Sequence, residues 1–154
     1  MYLKYLIRHG LHNIVKDVEN IDLYLSEFNR LLKPDGLLLL STHGTWQYHS
    51  SPIDIQRWTS YGLKKLIEKY NFQIIDFVPV LGQLAITSQL RLNYYYSLSN
   101  YLGILGKILL VPISMLYQIK IFFEDKITPY RVKVRDSAIY IVAGLKNKYQ
   151  FIVI

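Results

Sequence analysis

A chain of 154 residues that is 51% apolar is long enough to close a core around one domain, and its 19% charged content is not that of a disordered segment. Without cysteine it can form neither a disulfide nor a thiolate metal site, which fits a reducing compartment. The net charge of +7 is uneven, because residues 1–76 hold nine Lys/Arg against eight Asp/Glu while residues 77–154 hold nine against three.

The chain opens on Met1-Tyr-Leu-Lys-Tyr-Leu-Ile-Arg8, where Lys4 and Arg8 break the apolar run too early for a signal peptide, so a cytoplasmic address is expected. His9 and His12 lie three apart and lack a third ligand nearby, which gives no metal site. Asn20 is placed to cap a helix carrying Ile21, Leu25, Phe28 and Leu32 as one apolar stripe. Pro34 ends that helix and Asp35-Gly36 supplies a turn. Leu37 to Leu40 then reads as a strand covered on both faces, a piece of a parallel sheet in an α/β layer structure.

Thr59 or Ser60 caps a second helix to about Tyr70, with Leu63, Leu66, Ile67 and Tyr70 buried. Gln73 to Val80 is the next strand, with Pro79 marking its end or an edge. Leu84 to about Asn100 is helical, with Leu84, Ser88, Leu92, Tyr95 and Tyr96 on or beside one face. Tyr101 to Phe123 is the most hydrophobic window, interrupted by Lys107, Pro112 and Lys120. Only twelve residues separate the two lysines, against the roughly 20 that a bilayer span needs, so a transmembrane helix is not expected. Two alternatives remain: a core or partner-facing helix pair kinked at Pro112, which general experience of apolar helices favours, or an interfacial helix making peripheral membrane contact. Lys126, Arg131, Lys133 and Arg135, around Pro129, could meet lipid phosphate, but a solvated loop face is the simpler account. No motif or aromatic platform accompanies them, so no nucleic acid is expected. Ser137 to Leu145 is a strong strand, which 146–154 would extend or leave to fray.

Two blocks resemble one family. Arg30-Leu-Leu-Lys-Pro-Asp-Gly36 is similar to the Arg-x-Leu-Lys-Pro-Gly-Gly that precedes the fifth strand of class I S-adenosylmethionine-dependent methyltransferases. Pro52-x-Asp54-x-x-Arg57-Trp58-Thr59-x-x-Gly62-Leu63 is similar to a signature of the methyltransferase type 11-like subgroup, whose following helix ends in Gly-Phe where this chain has Asn71-Phe72. The resemblance covers about residues 14 to 80. It implies a partial Rossmann-like α/β sheet made of strands five to seven in the spatial order five, seven, six. Residues 1–154 would then be a single partial domain, with an apolar helical insertion at 82–130. None of the eight glycines forms a Gly-x-Gly pair, and Lys16 and Asp17 stand where relatives carry Glu and His. The expectation is therefore a carboxy-terminal half that begins at an internal Met1 and lacks the Gly-rich loop that holds S-adenosylmethionine.

The loop from His43 to Trp58 leaves the carboxyl end of a strand, where open α/β sheets bind ligands. It offers His43 and His49 as candidate catalytic bases and Trp46, Tyr48, Asp54 and Arg57 as candidate substrate-binding residues. The plainer alternative is that Asp54 and Arg57 brace the loop, Trp58 packs under the helix and both histidines face solvent. Two functions follow as expectations. One is the acceptor-side half of a methyltransferase acting on a small or lipid-linked acceptor, inactive when isolated. The other is a non-catalytic remnant or interaction module that docks through 101–123. If Leu37–Leu40 is an exposed sheet edge, either residues 2–7 cover it or self-association through it is expected.

Overall fold

The computed structural model describes residues 17–49 and 53–147 as a mixed α/β fold, a three-stranded antiparallel sheet with helices. The expectations for residues 2–7 as a cover for the sheet edge, for His9 and His12, and for 148–154 lie outside the described residues.

Helix α1 (Ile21–Leu31) starts as its sequence requires, with the Asn20 side chain accepting from the Leu23 amide at 2.9 Å. Leu25 is fully buried, and Ile21, Phe28 and Leu32 pack beside it. Asp35 takes a left-handed φ of 60° after Pro34, and the Gly36 amide donates to the Lys33 carbonyl at 2.9 Å, closing the turn into β1 (Leu37–His43). Helix α2 (Ser60–Lys69) is capped by Thr59, whose hydroxyl accepts from the Gly62 amide at 3.0 Å. Asn71 ends it at φ 62°, a left-handed position that asparagine tolerates. Strand β2 (Phe72–Gly82) follows, then the helical stretch α3 (Gln83–Tyr101), α4 (Gly103–Ile127) and α5 (Tyr130–Arg135), and finally β3 (Ser137–Lys146).

The last strand lies between the other two, in the order β1-β3-β2, and pairs antiparallel with both. The parallel sheet expected around Leu37–Leu40 is corrected accordingly. β1 and β2 run in the same direction, but β3 separates them, so no parallel pair is hydrogen-bonded among the described residues. The core sits on one face of this sheet, where Leu38, Leu40, Tyr140, Val142, Phe72 and Phe77 meet Leu25 of α1 and Leu63 and Ile67 of α2. Leu37 and Leu39, expected to be covered as well, are only half-buried, because strand alternation turns them to the face away from α1 and α2. Pro79 falls inside β2, which it can do because β2 is an outer strand, and a bulge near Ile75 shifts the pairing between Ile74 and Asp76.

The apolar window behaves differently from expectation. Pro112 does not divide it, since α4 runs unbroken for 25 residues, and the break falls at Leu102 and Gly103, where Gly103 takes φ +62°. Helices α3 and α4 therefore form a hairpin. Its seam is small: Ala85 and Leu92 of α3 meet Leu110 and Ile121 of α4. Near the turn, a methyl group on Gly106 would lie 2.6 Å from the Ser99 carbonyl, so the helices cross there at backbone distance. Of the α3 face expected from sequence, Ser88 and Leu92 are buried, but Leu84 and Tyr96 are exposed; the seam turns on Ala85, one position along. Nor is α4 a core helix. Its outer ridge of Ile104, Ile108, Met115, Ile119 and Phe122 remains more than half exposed, with Ile104 at 80%.

The base of the hairpin is tied to the sheet through Asp125, which accepts from the Gly82 amide and pairs with Lys133, each at 2.7 Å. Burial alone would push that carboxyl up. The hydrogen bonds from Lys133 and Gly82 outweigh it and hold Asp125 below the usual carboxylate range. The basic cluster expected on a loop lies largely in α5, where Arg135 pairs with Asp136, and Lys126, at the end of α4, lies over the Phe122 ring.

Candidate functional site

The carboxyl end of β1 delivers His43 into the structure at 4% exposure, and the chain then turns through Gly44. That glycine is forced by packing, since a methyl group there would lie 2.4 Å from the Ser137 carbonyl and 2.7 Å from the Tyr140 ring. Backbone bonds from Gly44 to Ala138 and from Thr45 to Ser137 extend the β1–β3 contact past the strand end. The returning limb closes on the same point, with the Trp58 amide donating to the His43 carbonyl at 3.1 Å.

Arg57 is the hub between the two limbs. Its guanidinium grips both oxygens of Asp54, donates to the Gln47 carbonyl at 2.9 Å and lies 3.2 Å from His43 Nδ1. The Asp54 side chain is 2% exposed and also accepts from the His49 amide at 2.8 Å. A guanidinium can only donate, so Nδ1 of His43 is the acceptor and the neutral ring carries its proton on Nε2. Proton abstraction at Nδ1 would require Arg57 to withdraw and would place an imidazolium against a fixed cation. Trp46 is half-buried with its ring centroid 6.3 Å from that of His43. Tyr48, at 74% exposure, and His49 stand outward on the loop.

Of the six residues singled out from sequence, His43, Trp46, Asp54 and Arg57 thus come together, while Tyr48 and His49 are at the surface. Sequence reasoning missed the far side. Tyr140 is buried beneath Gly44, donates to the Arg135 carbonyl at 3.0 Å and accepts from the Ser137 amide at 3.1 Å, and burial pushes its hydroxyl above the ordinary tyrosine value. Asn93 of α3 donates to the Gln47 side chain at 3.0 Å, tying the loop to the hairpin. No local pattern announces either residue, because each acts across more than 40 positions or from an interior strand.

Between the limbs lies a half-open cleft of about 170 Å³, lined by Gly44, Thr45, Arg57, Trp58, Arg135 and Tyr140 among others. Small-molecule sites usually measure roughly 300 to 1,000 Å³. The cleft is small for S-adenosylmethionine, and its two guanidinium groups are already engaged, Arg57 by Asp54 and Arg135 by Asp136, which lines the cleft as well. The glycines offer no cradle either: Gly36, Gly44, Gly82 and Gly106 are each closed by the chain's own atoms. Neither this cleft nor these glycines therefore fit that cofactor. The described residues hold no cluster of three or more His, Asp or Glu that could bind a metal. The indole Nε1 of Trp58 and the hydroxyl of Thr42 are buried without a hydrogen-bond partner. No family model, curated protein or solved structure matches the chain.

Proposed function

We propose that this chain forms the acceptor side of a methyltransferase domain of the S-adenosylmethionine-dependent class, with the 43–58 loop as one wall of the site for a small or lipid-linked acceptor. The observation that supports this best is the antiparallel insertion of β3 between β1 and β2, the relation expected of the last three strands of that family. Three strands are shared by many α/β folds, so the order gains its weight from the sequence blocks around Arg30–Gly36 and Arg57–Leu63. In this proposal Trp46 and Tyr48 offer the acceptor an aromatic wall, and His49 is the imidazole placed to take a proton. Asp54, Arg57 and His43 hold the loop in shape. S-Adenosylmethionine would be bound by a Gly-rich segment outside the described residues, a reading supported by the lack of any Gly-x-Gly pair in the chain and by the small cleft beside the loop.

The test is the DNA before the Met1 codon, where an in-frame Gly-rich strand-loop-helix is expected. A polypeptide that includes it should bind S-adenosylhomocysteine in a calorimetric titration, and the 154-residue chain should not. Binding by the short chain, or none by the longer one, overturns the proposal.

A second function, a non-catalytic module that docks through 101–123, is favoured by one separate observation: the outer side of α4 is apolar and uncovered among the described residues.

A further inference from the structure

The α3–α4 hairpin combines three features that point to one kind of partner. The first is how its apolar surface is distributed. By composition and length α4 could cross a membrane, yet its apolar contacts with α3 run through one narrow line of Gly106, Leu110, Tyr117 and Ile121. At 100° per residue, the outer ridge and a second row containing Leu109 and Leu116 make an arc of about 140° on the opposite side, apolar as far as Phe123 and then carrying Lys126 on the line of Ile108. Leu109 and Leu116 are 55% and 68% exposed.

The second feature is charge. No carboxylate occurs between Asp76 and Glu124, and between Arg91 and Lys120 the only charged residue is Lys107. On the helical wheel Lys107 and Lys120 border the apolar arc from opposite sides, and Lys126 and Arg131 follow at the hairpin base. Lys120 is partly engaged by Glu124 and Ser88. Arg91, Lys107, Lys126 and Arg131 have no carboxylate within ion-pair distance among the described residues. The third feature is aromatic: Tyr94, Tyr96 and Tyr101 are 65%, 63% and 88% exposed toward the hairpin tip, a residue type that settles at the boundary between head groups and acyl chains.

We infer that the hairpin docks this protein onto an anionic lipid bilayer, with α4 lying in the interface, its outer arc in the acyl boundary and Lys107, Lys120 and Lys126 against the phosphates. A second copy paired hairpin to hairpin fits less well, because that face would bring the same cations and no carboxylate before Glu124 to meet them. A crossing orientation fits less well too. The two lysines are thirteen positions apart, about 20 Å of helix, against about 30 Å of hydrocarbon. The inference does not depend on the methyl-transfer proposal.

The test uses the full chain, synthesised in the presence of vesicles of phosphatidylcholine alone or mixed with phosphatidylglycerol. Flotation is expected with the mixed vesicles and is expected to weaken in high salt. Lys107→Gln and Lys126→Gln should each reduce binding by about fivefold, and Leu109→Asp with Leu116→Asp by more than tenfold. Because the chain has no cysteine, Leu109→Cys carries a unique environment-sensitive fluorophore. Its emission should shift to the blue only when the mixed vesicles are added. Equal flotation with neutral vesicles, no shift, or a probe already buried in a soluble oligomer would each overturn the proposal. So would an Ile104→Cys variant whose thiol reacts with an impermeant maleimide sealed inside the vesicles, since the helix would then cross.

Discussion

The helical hairpin contains the most apolar segment of the chain, yet it is the less apolar sheet unit that buries its apolar side chains while the hairpin displays them. In α1 the apolar positions are interleaved with Asp22, Ser26, Glu27 and Arg30, so one face sinks into the core while the other is solvated. Over most of its length α4 has no such interleaving. Whichever side it packs against α3, the other side remains apolar. A helix of this kind is completed only by something outside itself, and the absence of carboxylates along the hairpin before Glu124 narrows what that can be.

Mutations can break or sharpen this contrast. The largest effect is expected for Phe72→Ala in the core, about 3 to 5 kcal/mol in urea unfolding, whereas Phe122→Ala on the outer ridge should stay within about 0.5 kcal/mol in the absence of lipid. Comparable losses at both positions would mean that the ridge is buried in solution after all. Next comes Arg57→Gln, which removes the grip on a nearly inaccessible Asp54 carboxylate together with the bonds to His43 and Gln47. About 2 kcal/mol is expected, below the figure for a fully buried pair because the Arg57 side chain is 30% exposed. Proteolysis within 43–58 should rise in the same variant.

Tyr140→Phe leaves the Ser137 amide without its acceptor and should cost about 1 to 2 kcal/mol by the same unfolding measurement. The smallest effect is local and depends on pH. Asp125 is depressed in the folded protein, so its contribution is fully present above the ordinary carboxylate value and is lost as pH falls through the folded one. Amide exchange at Gly82, corrected for its intrinsic pH dependence, should accelerate in that acidic window and no longer respond to pH there in Asp125→Asn. The sheet amides should not follow.

Much of the sheet unit was legible because its signals are local. Asn20 and Thr59 cap through their own side chains, Pro34 and Asp35 turn the chain within a few residues, and Asn71 adopts the left-handed end expected of it. The candidate loop was legible in part. The i,i+3 pairing of Asp54 and Arg57 is a short-range relation, but the approach of His43 to Arg57 depends on a strand end meeting a returning limb. The roles of Tyr140 and Asn93 depend on elements far away in the chain.

What the amino-acid order determined alone is where the helices and strands of the sheet unit start and stop, and which half of the molecule is basic, since caps, turns and charge are fixed by neighbours a few bonds away. Tertiary structure alone decided that β3 separates β1 from β2, that Leu37 and Leu39 are left half-covered, and that a proline-containing helix runs through unbroken with one side bare. Those outcomes turn on which surfaces compete for the same apolar area, a competition that sequence spacing does not encode.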